Sequence, residues 1–290
     1  MMDRRHFLGG LGGLVAASAL PAWADDPSVF PKRGKFERLE LAMQHVEIGL
    51  KEPFSVLHIS DTHLTAAYPH ESEAKQTLKR VRTQTFGGRQ EEALADSLAW
   101  AKANVDYVVY TGDLIDWQSE ANFDLVKKYF GGAMTGSLGN HEYSPSMWLS
   151  EAKETKDEAW KARTRAQVAA AYPFDLSLQS QVVKGVNFVT LDDVFGYVVP
   201  AQVERFAAEV KKGLPIVLCM HVPFMTDKIW RLTQRFWTQS GKRFRNVQVP
   251  NPTGDYKVQK KDPTTRDFIA YLKTEKLLKG ILSGHQHITM

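Results

Sequence analysis

Phe54-Ser55-Val56-Leu57-His58-Ile59-Ser60-Asp61-Thr62-His63-Leu64 is the stretch on which the reading of the fold turns. Its first six residues form an apolar run rich in β-formers and short enough for a buried strand. The run ends in Asp61 and His63, two metal-capable side chains that the two-residue period of extended chain points the same way. Ligands in open α/β sheets collect where strands deliver their carboxyl ends. Alone, Asp-x-His is common, and a histidine beside a strand is ordinarily a hydrogen-bonded core residue. What matters is whether other apolar strands end the same way.

They do. Val105–Tyr110 runs into Thr111-Gly112-Asp113, and Ala133–Leu138 leads to Gly139-Asn140-His141-Glu142. Pro215–Met220 stops at His221, and Gly280–Leu282 closes on Ser283-Gly284-His285-Gln286-His287. Five of the nine histidines therefore sit just past strand candidates. Turn chemistry explains one such ending but not the whole series. His58, inside the first strand, reads as a core or supporting residue and not as a ligand.

The intervening segments read mostly as helices. Gln90–Asn104 carries Ala93, Leu94, Leu98 and Ala101 at helical spacing, and Asn122–Phe130, Gln202–Lys212 and the long, charged Ser146–Ala171 follow suit. Phe268–Leu278 is expected as a helix capped by Thr264 or Thr265. Val182–Leu191 reads as a strand pair, and Phe36–Leu50 as two short edge strands. Residues 65–89 are a polar insertion, and a second insertion spans about 224–262.

The chain of 290 residues, 43% hydrophobic and 24% charged, has the make-up of a globular protein with a real core. A formal charge of +4 is too weak to imply a nucleic-acid partner. Residues 1–24 read as an export signal: Arg4 and Arg5, a Gly/Ala/Leu-rich run from Leu8 to Leu20, then Ala22-Trp23-Ala24 as a cleavage site. Arg-Arg-x-Phe-Leu resembles the twin-arginine type, which carries folded proteins and implies a periplasmic or otherwise exported destination. Residues 25–290 then form one domain. Cys219 is the single cysteine, so no internal disulfide can form, and its apolar surroundings suggest an inert thiol.

The ordered series Asp-x-His, Gly-Asp, Gly-Asn-His-Glu, His and Gly-His-x-His resembles the calcineurin-like metallophosphoesterase superfamily, over most of Phe54–His287. The resemblance implies an α/β fold, a four-layer α/β/β/α sandwich with two mixed sheets flanked by helices and a two-metal centre at one edge. Carried over, Asp61, His63, Asp113 and His287 look like the first metal site, and Asp113, Asn140, His221 and His285 like the second. Carboxylates and imidazoles suit two divalent or mixed-valence ions of Mn, Fe, Zn, Co or Ni. The implied chemistry is in-line attack on a phosphoester by a hydroxide shared between the ions. His141 resembles the acid at the leaving group, and Asp116 the carboxylate that orients it. A non-catalytic metal-binding scaffold of the same fold is the alternative.

Departures from the family pattern narrow the branch. Asp116 stands where purple acid phosphatases carry Tyr, and Leu138 where protein phosphatases carry a phosphate-gripping Arg. What remains looks like the bacterial phosphodiesterase and small-phosphatase branch. The chain stops at Met290, whereas family domains commonly continue with further strands, so a short form or a truncated sequence is expected. In the second insertion, Lys228, Arg231, Arg235, Lys242, Arg243 and Arg245 alternate with Trp230, Phe236, Trp237 and Phe244. These either draw and stack a phosphorylated small-molecule or lipid substrate or form an ordinary solvated helix face; peripheral contact with anionic lipid headgroups is a third reading.

Overall fold

The computed structural model describes residues 41–130, 134–145, 157–240 and 252–287. The export signal, Phe36–Glu40, the first part of Ser146–Ala171 and Lys242–Arg245 lie outside the described residues. Among the described residues seven strands form two sheets. β1 (Val56–Ile59), β2 (Tyr107–Thr111) and β3 (Met134–Ser137) make a wholly parallel sheet in the order β1-β2-β3. Its crossovers carry α1 (Glu73–Phe86), α2 (Gln90–Asn104) and α3 (Glu120–Phe130), since parallel neighbours need a long return connection.

The second sheet is mixed. β4 (Leu178–Val183) and β5 (Val186–Leu191) form an antiparallel hairpin, turned by Lys184 and Gly185 at positive φ. β6 (Ile216–Cys219) and β7 (Leu278–Leu282) extend it in parallel. α4 (Glu158–Ala169) precedes this sheet and α5 (Pro200–Val210) links β5 to β6. Between β6 and β7 lie α6 (Asp227–Ser240), α7 (Pro252–Lys261) and α8 (Pro263–Leu272). The expected α/β/β/α sandwich is present, with the refinement that the first sheet holds only parallel pairs among the described residues.

Three apolar clusters account for the layering. Tyr107, Val109, Val186, Phe188 and Cys219 fill the space between the sheets. Tyr110, Phe130, Met134, Trp160 and Tyr172 bury the outer face of the first sheet under helices. Phe206 and Phe268 do the same for the second, their rings edge to face at 5.3 Å. Strand alternation sends Tyr110 outward and Val109 inward from the same strand. Cys219 is fully buried there, and burial pushes its thiol pKa up, as suits an inert side chain.

Three local expectations are corrected. Residues 41–50 form no strand; Ile48 and Leu50 instead pack against the inter-sheet core. The polar insertion 65–89 contains the 14-residue helix α1. Its polar composition hides it, because only a narrow stripe including Leu78 and Arg82 is buried. The last helix runs Pro263–Leu272 and not Phe268–Leu278. Its cap is Asp262, whose carboxylate accepts the Thr265 N–H at 2.7 Å, with Pro263 pre-set for the first turn. Thr265 then offers its hydroxyl oxygen to the Val198 N–H at 2.9 Å.

Candidate metal centre

The carboxyl ends of β1, β2, β6 and β7 meet at one edge of the sandwich, and the loops that follow are tied to one another. The ladder between β1 and β2 continues past both strands: Asp61 N–H donates to Gly112 O, His63 N–H to Asp113 O and Leu64 N–H to Leu114 O, at 2.7–3.0 Å. On the other sheet Gly284 N–H donates to His221 O at 3.1 Å. Other contacts cross between the sheets. His285 N–H donates to the Asp61 carboxylate at 2.9 Å, and His221 Nδ1 lies 2.8 Å from Thr111 O. Gly112 permits that approach, because a Cβ there would sit 2.5 Å from His221 Nδ1.

The backbone at this edge is strained in a patterned way. Asp61, His63, Asp113, His285 and His287 all have φ between 46° and 70°. For residues with a side chain, that left-handed conformation costs about 1–2 kcal/mol each. Asp and His tolerate it better than most, and the concentration of five at one edge marks a site held in shape by its surroundings.

Among the described residues three groups of ligand-type atoms result, one of them His63, Asp116 and His141, and the other two built on Asp113. Asp61, His63, Asp113 and His287 present one of these two, and Asp113, His221 and His285 the other, with the atoms of each within 4.8 Å of one another. In the first, His63 Nε2 faces His287 Nε2 at 3.0 Å, and His287 Nε2 lies 3.2 Å from Asp61 Oδ1. In the second, His221 Nε2 stands 3.2 Å from each of Asp113 Oδ2, Asn140 Oδ1 and His285 Nδ1. Asp113 belongs to both. Asn140, His141 and Asp116 come from the loops after β3 and β2, beside the shared carboxylate.

The far nitrogens of the rings decide what the near ones can do. His63 Nδ1 is 2.9 Å from Asp116 Oδ1, and His221 Nδ1 is occupied by Thr111 O. In the neutral rings, with those positions donating, each Nε2 presents a lone pair toward the centre, where it meets other acceptors. Acceptor facing acceptor at about 3 Å is the arrangement a cation relieves, so the donor set fits metal binding.

Charge within the cluster is severe. Burial opposes ionisation of Asp61, yet the His287 hydrogen bond and the charge of His221 hold it down at about 2. Burial likewise opposes Asp113, which His221 and His141 hold well below the ordinary carboxylate value. Burial works against protonation of His141 and His221, but Asp113 outweighs it, pushing them up to about 9 and about 10. His63 goes the other way, lowered by burial and by the charge of His141. His58 is a supporting residue, its Nε2 2.6 Å from the Thr111 hydroxyl and its pKa lowered by burial to about 4.

His141 packs edge to face on His63, with Nδ1 3.0 Å from Asp116 Oδ1 and 2.9 Å from Asp116 O. Its Nε2, 4.0 Å from Asp113 Oδ2, points toward the centre. The family model for calcineurin-like phosphoesterases matches residues 54–289. The chain belongs to that family. No functionally curated protein matches the sequence. A crystal structure of a candidate 5'-nucleotidase from Staphylococcus aureus, determined with alpha-ketoglutarate, is similar at 14% identity with a TM-score of 0.34. The match covers 81% of this chain and 45% of that one, so the chain spans less than half of that protein's length.

Beyond the family motifs, the site of this phosphoesterase has supports that sequence reading did not single out. Glu142, fully buried, accepts the N–H groups of Asp113, Leu114 and Gly139 at 2.7–2.9 Å, joining two ligand loops. Arg82 of α1 donates to both Asp116 oxygens, and its guanidinium lies over Phe86, which stacks on His63 at 4.9 Å. Asp193 Oδ1 accepts the N–H groups of His221 and Val222, both at 3.0 Å. Glu142 alone carried a signal, as the last residue of Gly-Asn-His-Glu; Arg82 looks like any other cation of a polar helix. In the second insertion, Trp230 meets Tyr256 edge to face at 5.9 Å and so serves the junction of α6 and α7. The side chains of Arg235, Phe236 and Trp237 lie outside the described residues.

Proposed function

We propose that this phosphoesterase is an exported, dinuclear-metal hydrolase of a phosphomonoester or phosphodiester carried by a small molecule or lipid. The reading rests above all on Asp113, a buried carboxylate that stands in both ligand groups with the His141–Asp116 pair beside it. Asp61, His63, Asp113 and His287 would hold one ion, and Asp113, Asn140, His221 and His285 the other. When bound, the ions supply Lewis acidity toward the phosphoryl oxygens and lower the pKa of the attacking water.

The chain's own residues supply the rest. Asp116 fixes the His141 ring so that Nε2 carries the transferable proton. That places His141 Nε2 where it can hand a proton to a leaving oxygen beside the shared carboxylate. His63, Asp113 and His221 are closed to solvent, whereas His287 is exposed and marks the open side. Among the described residues no helix is long and apolar enough to cross a membrane.

Protein loaded with Mn or Ni is expected to hydrolyse p-nitrophenyl phosphate or its bis ester, and Asp113→Asn to abolish turnover along with metal retention at both groups. Metal-loaded protein that is inert on phosphomonoesters, phosphodiesters and pyrophosphates would sink the reading. For export, the mature protein is expected to begin at Asp25, and changing Arg4 and Arg5 together to Lys to hold it in the cytoplasm.

A further inference from the structure

One ring of the second group is anchored from outside the sandwich. His285 presents Nδ1 to His221 Nε2 at 3.2 Å, and its Nε2 lies 3.0 Å from Asp255 Oδ2. Asp255 belongs to α7, within the insertion between β6 and β7. With Nε2 donating to that carboxylate, His285 is locked in the tautomer whose Nδ1 lone pair faces Asp113 and His221. The anchor is itself fixed. Gly196, at φ +78°, lets the Asp255 backbone approach so closely that a Cβ there would lie 2.5 Å from Asp255 O. Farther along α7, Gln259 bonds Met225 N–H at 3.0 Å and Pro223 O at 3.1 Å, clamping the helix to the chain that leaves His221.

We infer that Asp255 is a positioning residue for the second ion site, so that docking of the α7 insertion helix against Gly196 sets how tightly that site holds its ion. The inference rests on the two-ion reading above and adds a residue and an element to it. A carboxylate behind a ligating histidine fixes the ring's orientation and raises its basicity, and its loss typically weakens metal affinity about 10–100-fold. In the other group the corresponding ring, His63, is held by Asp116 from the loop after β2.

Calorimetric titration of the metal-stripped full chain with Co²⁺ or Mn²⁺, with elemental analysis after dialysis, tests this. Wild type is expected to bind two ions. Asp255→Ala should keep the first step and weaken the second about 10–100-fold. Asp255→Asn, which retains an acceptor for the Nε2–H, should recover most of that loss. Gly196→Ala, which displaces the Asp255 backbone with its carboxylate intact, should weaken the second step as Asp255→Ala does. A second step unchanged in Asp255→Ala overturns the inference. So does equal weakening of both steps in every variant with a lowered Tm, which marks general loosening. A wild-type chain that takes up one ion or none refutes the two-ion reading itself, an outcome distinct from either.

Discussion

Asp116 and Asp193 each stand directly behind a histidine of the centre, and their surroundings give them opposite charge behaviour. Asp116 supports His63 and His141; burial opposes its charge, but the Arg82 hydrogen bonds and His141 hold its carboxyl far below the usual value. Asp193 supports the His221 backbone; burial dominates there and pushes its carboxyl up to about 7. Among the described residues its Oδ2 has no hydrogen-bond partner. Adjacent Asp192 takes the nearby cations instead, with Lys161 at 3.1 Å and Arg165 at 2.8 Å. The first half of the centre is thus braced by a compensated ion and the second by a carboxylate acting through shape. A cation placed beside a buried carboxylate offsets the desolvation that otherwise favours its neutral form.

That contrast can be broken or sharpened at several points. The largest effect is expected at His141, the ring that Asp116 aims. His141→Ala should lower kcat about 10²–10⁴-fold, and more on an alkyl phosphate than on p-nitrophenyl phosphate, whose leaving group needs little protonation. An equal loss on both substrates would remove His141 from the acid role. Next comes the ion pair itself. Arg82→Met leaves Asp116 buried without its cation and should cost about 10–100-fold in kcat or in first-site metal affinity. Asp193→Asn keeps the Oδ1 acceptor and should change stability by no more than about 1 kcal/mol. Similar damage from both substitutions, measured by kinetics and urea unfolding, would erase the distinction.

The smallest effect concerns pH. Burial opposes the charge on Asp192, but Lys161 and Arg165 lower its pKa below the ordinary 3.8. A depressed folded-state value means that its contribution is fully present above pH 3.8 and is lost as pH falls through the lower, folded value. Acid unfolding curves of Asp192→Asn should therefore be flatter than wild type below that pH. Curves that run parallel there would show that Asp192 carries no charge-dependent stability.

The strands that position the centre were legible because buried parallel strands are short apolar runs with sharp polar ends. Five such runs were recognised within a residue or two of β1, β2, β3, β6 and β7. What escaped was structure without an apolar signature. α1 buries little beyond Leu78 and Arg82 on a polar helix, and residues 41–50 carry no regular structure while Ile48 and Leu50 pack on the core. The cap of α8 was misassigned because Thr264, Thr265 and Asp262 all suit that role, and only the placing of Pro263 in the first turn selects Asp262.

At the centre, residue type and order marked the side chains that the fold gathers, because each follows a strand directly and strand direction carries it to the same edge; how they divide into groups was implied by the family resemblance. Sequence also marked His141 and Asp116, which lie within three residues of residues in the two groups. It could not reach Arg82, Asp193 or Asp255, whose roles depend on contacts across 34, 28 and 30 residues of chain. A carboxylate or guanidinium on a helix reads as solvated surface until a neighbouring ring nitrogen or carboxylate is placed beside it. The chain's order therefore determined which chemistry meets at the edge of the sandwich. Tertiary packing decided which rings are locked, which carboxylates keep their charge, and that a helix from an insertion stands behind His285.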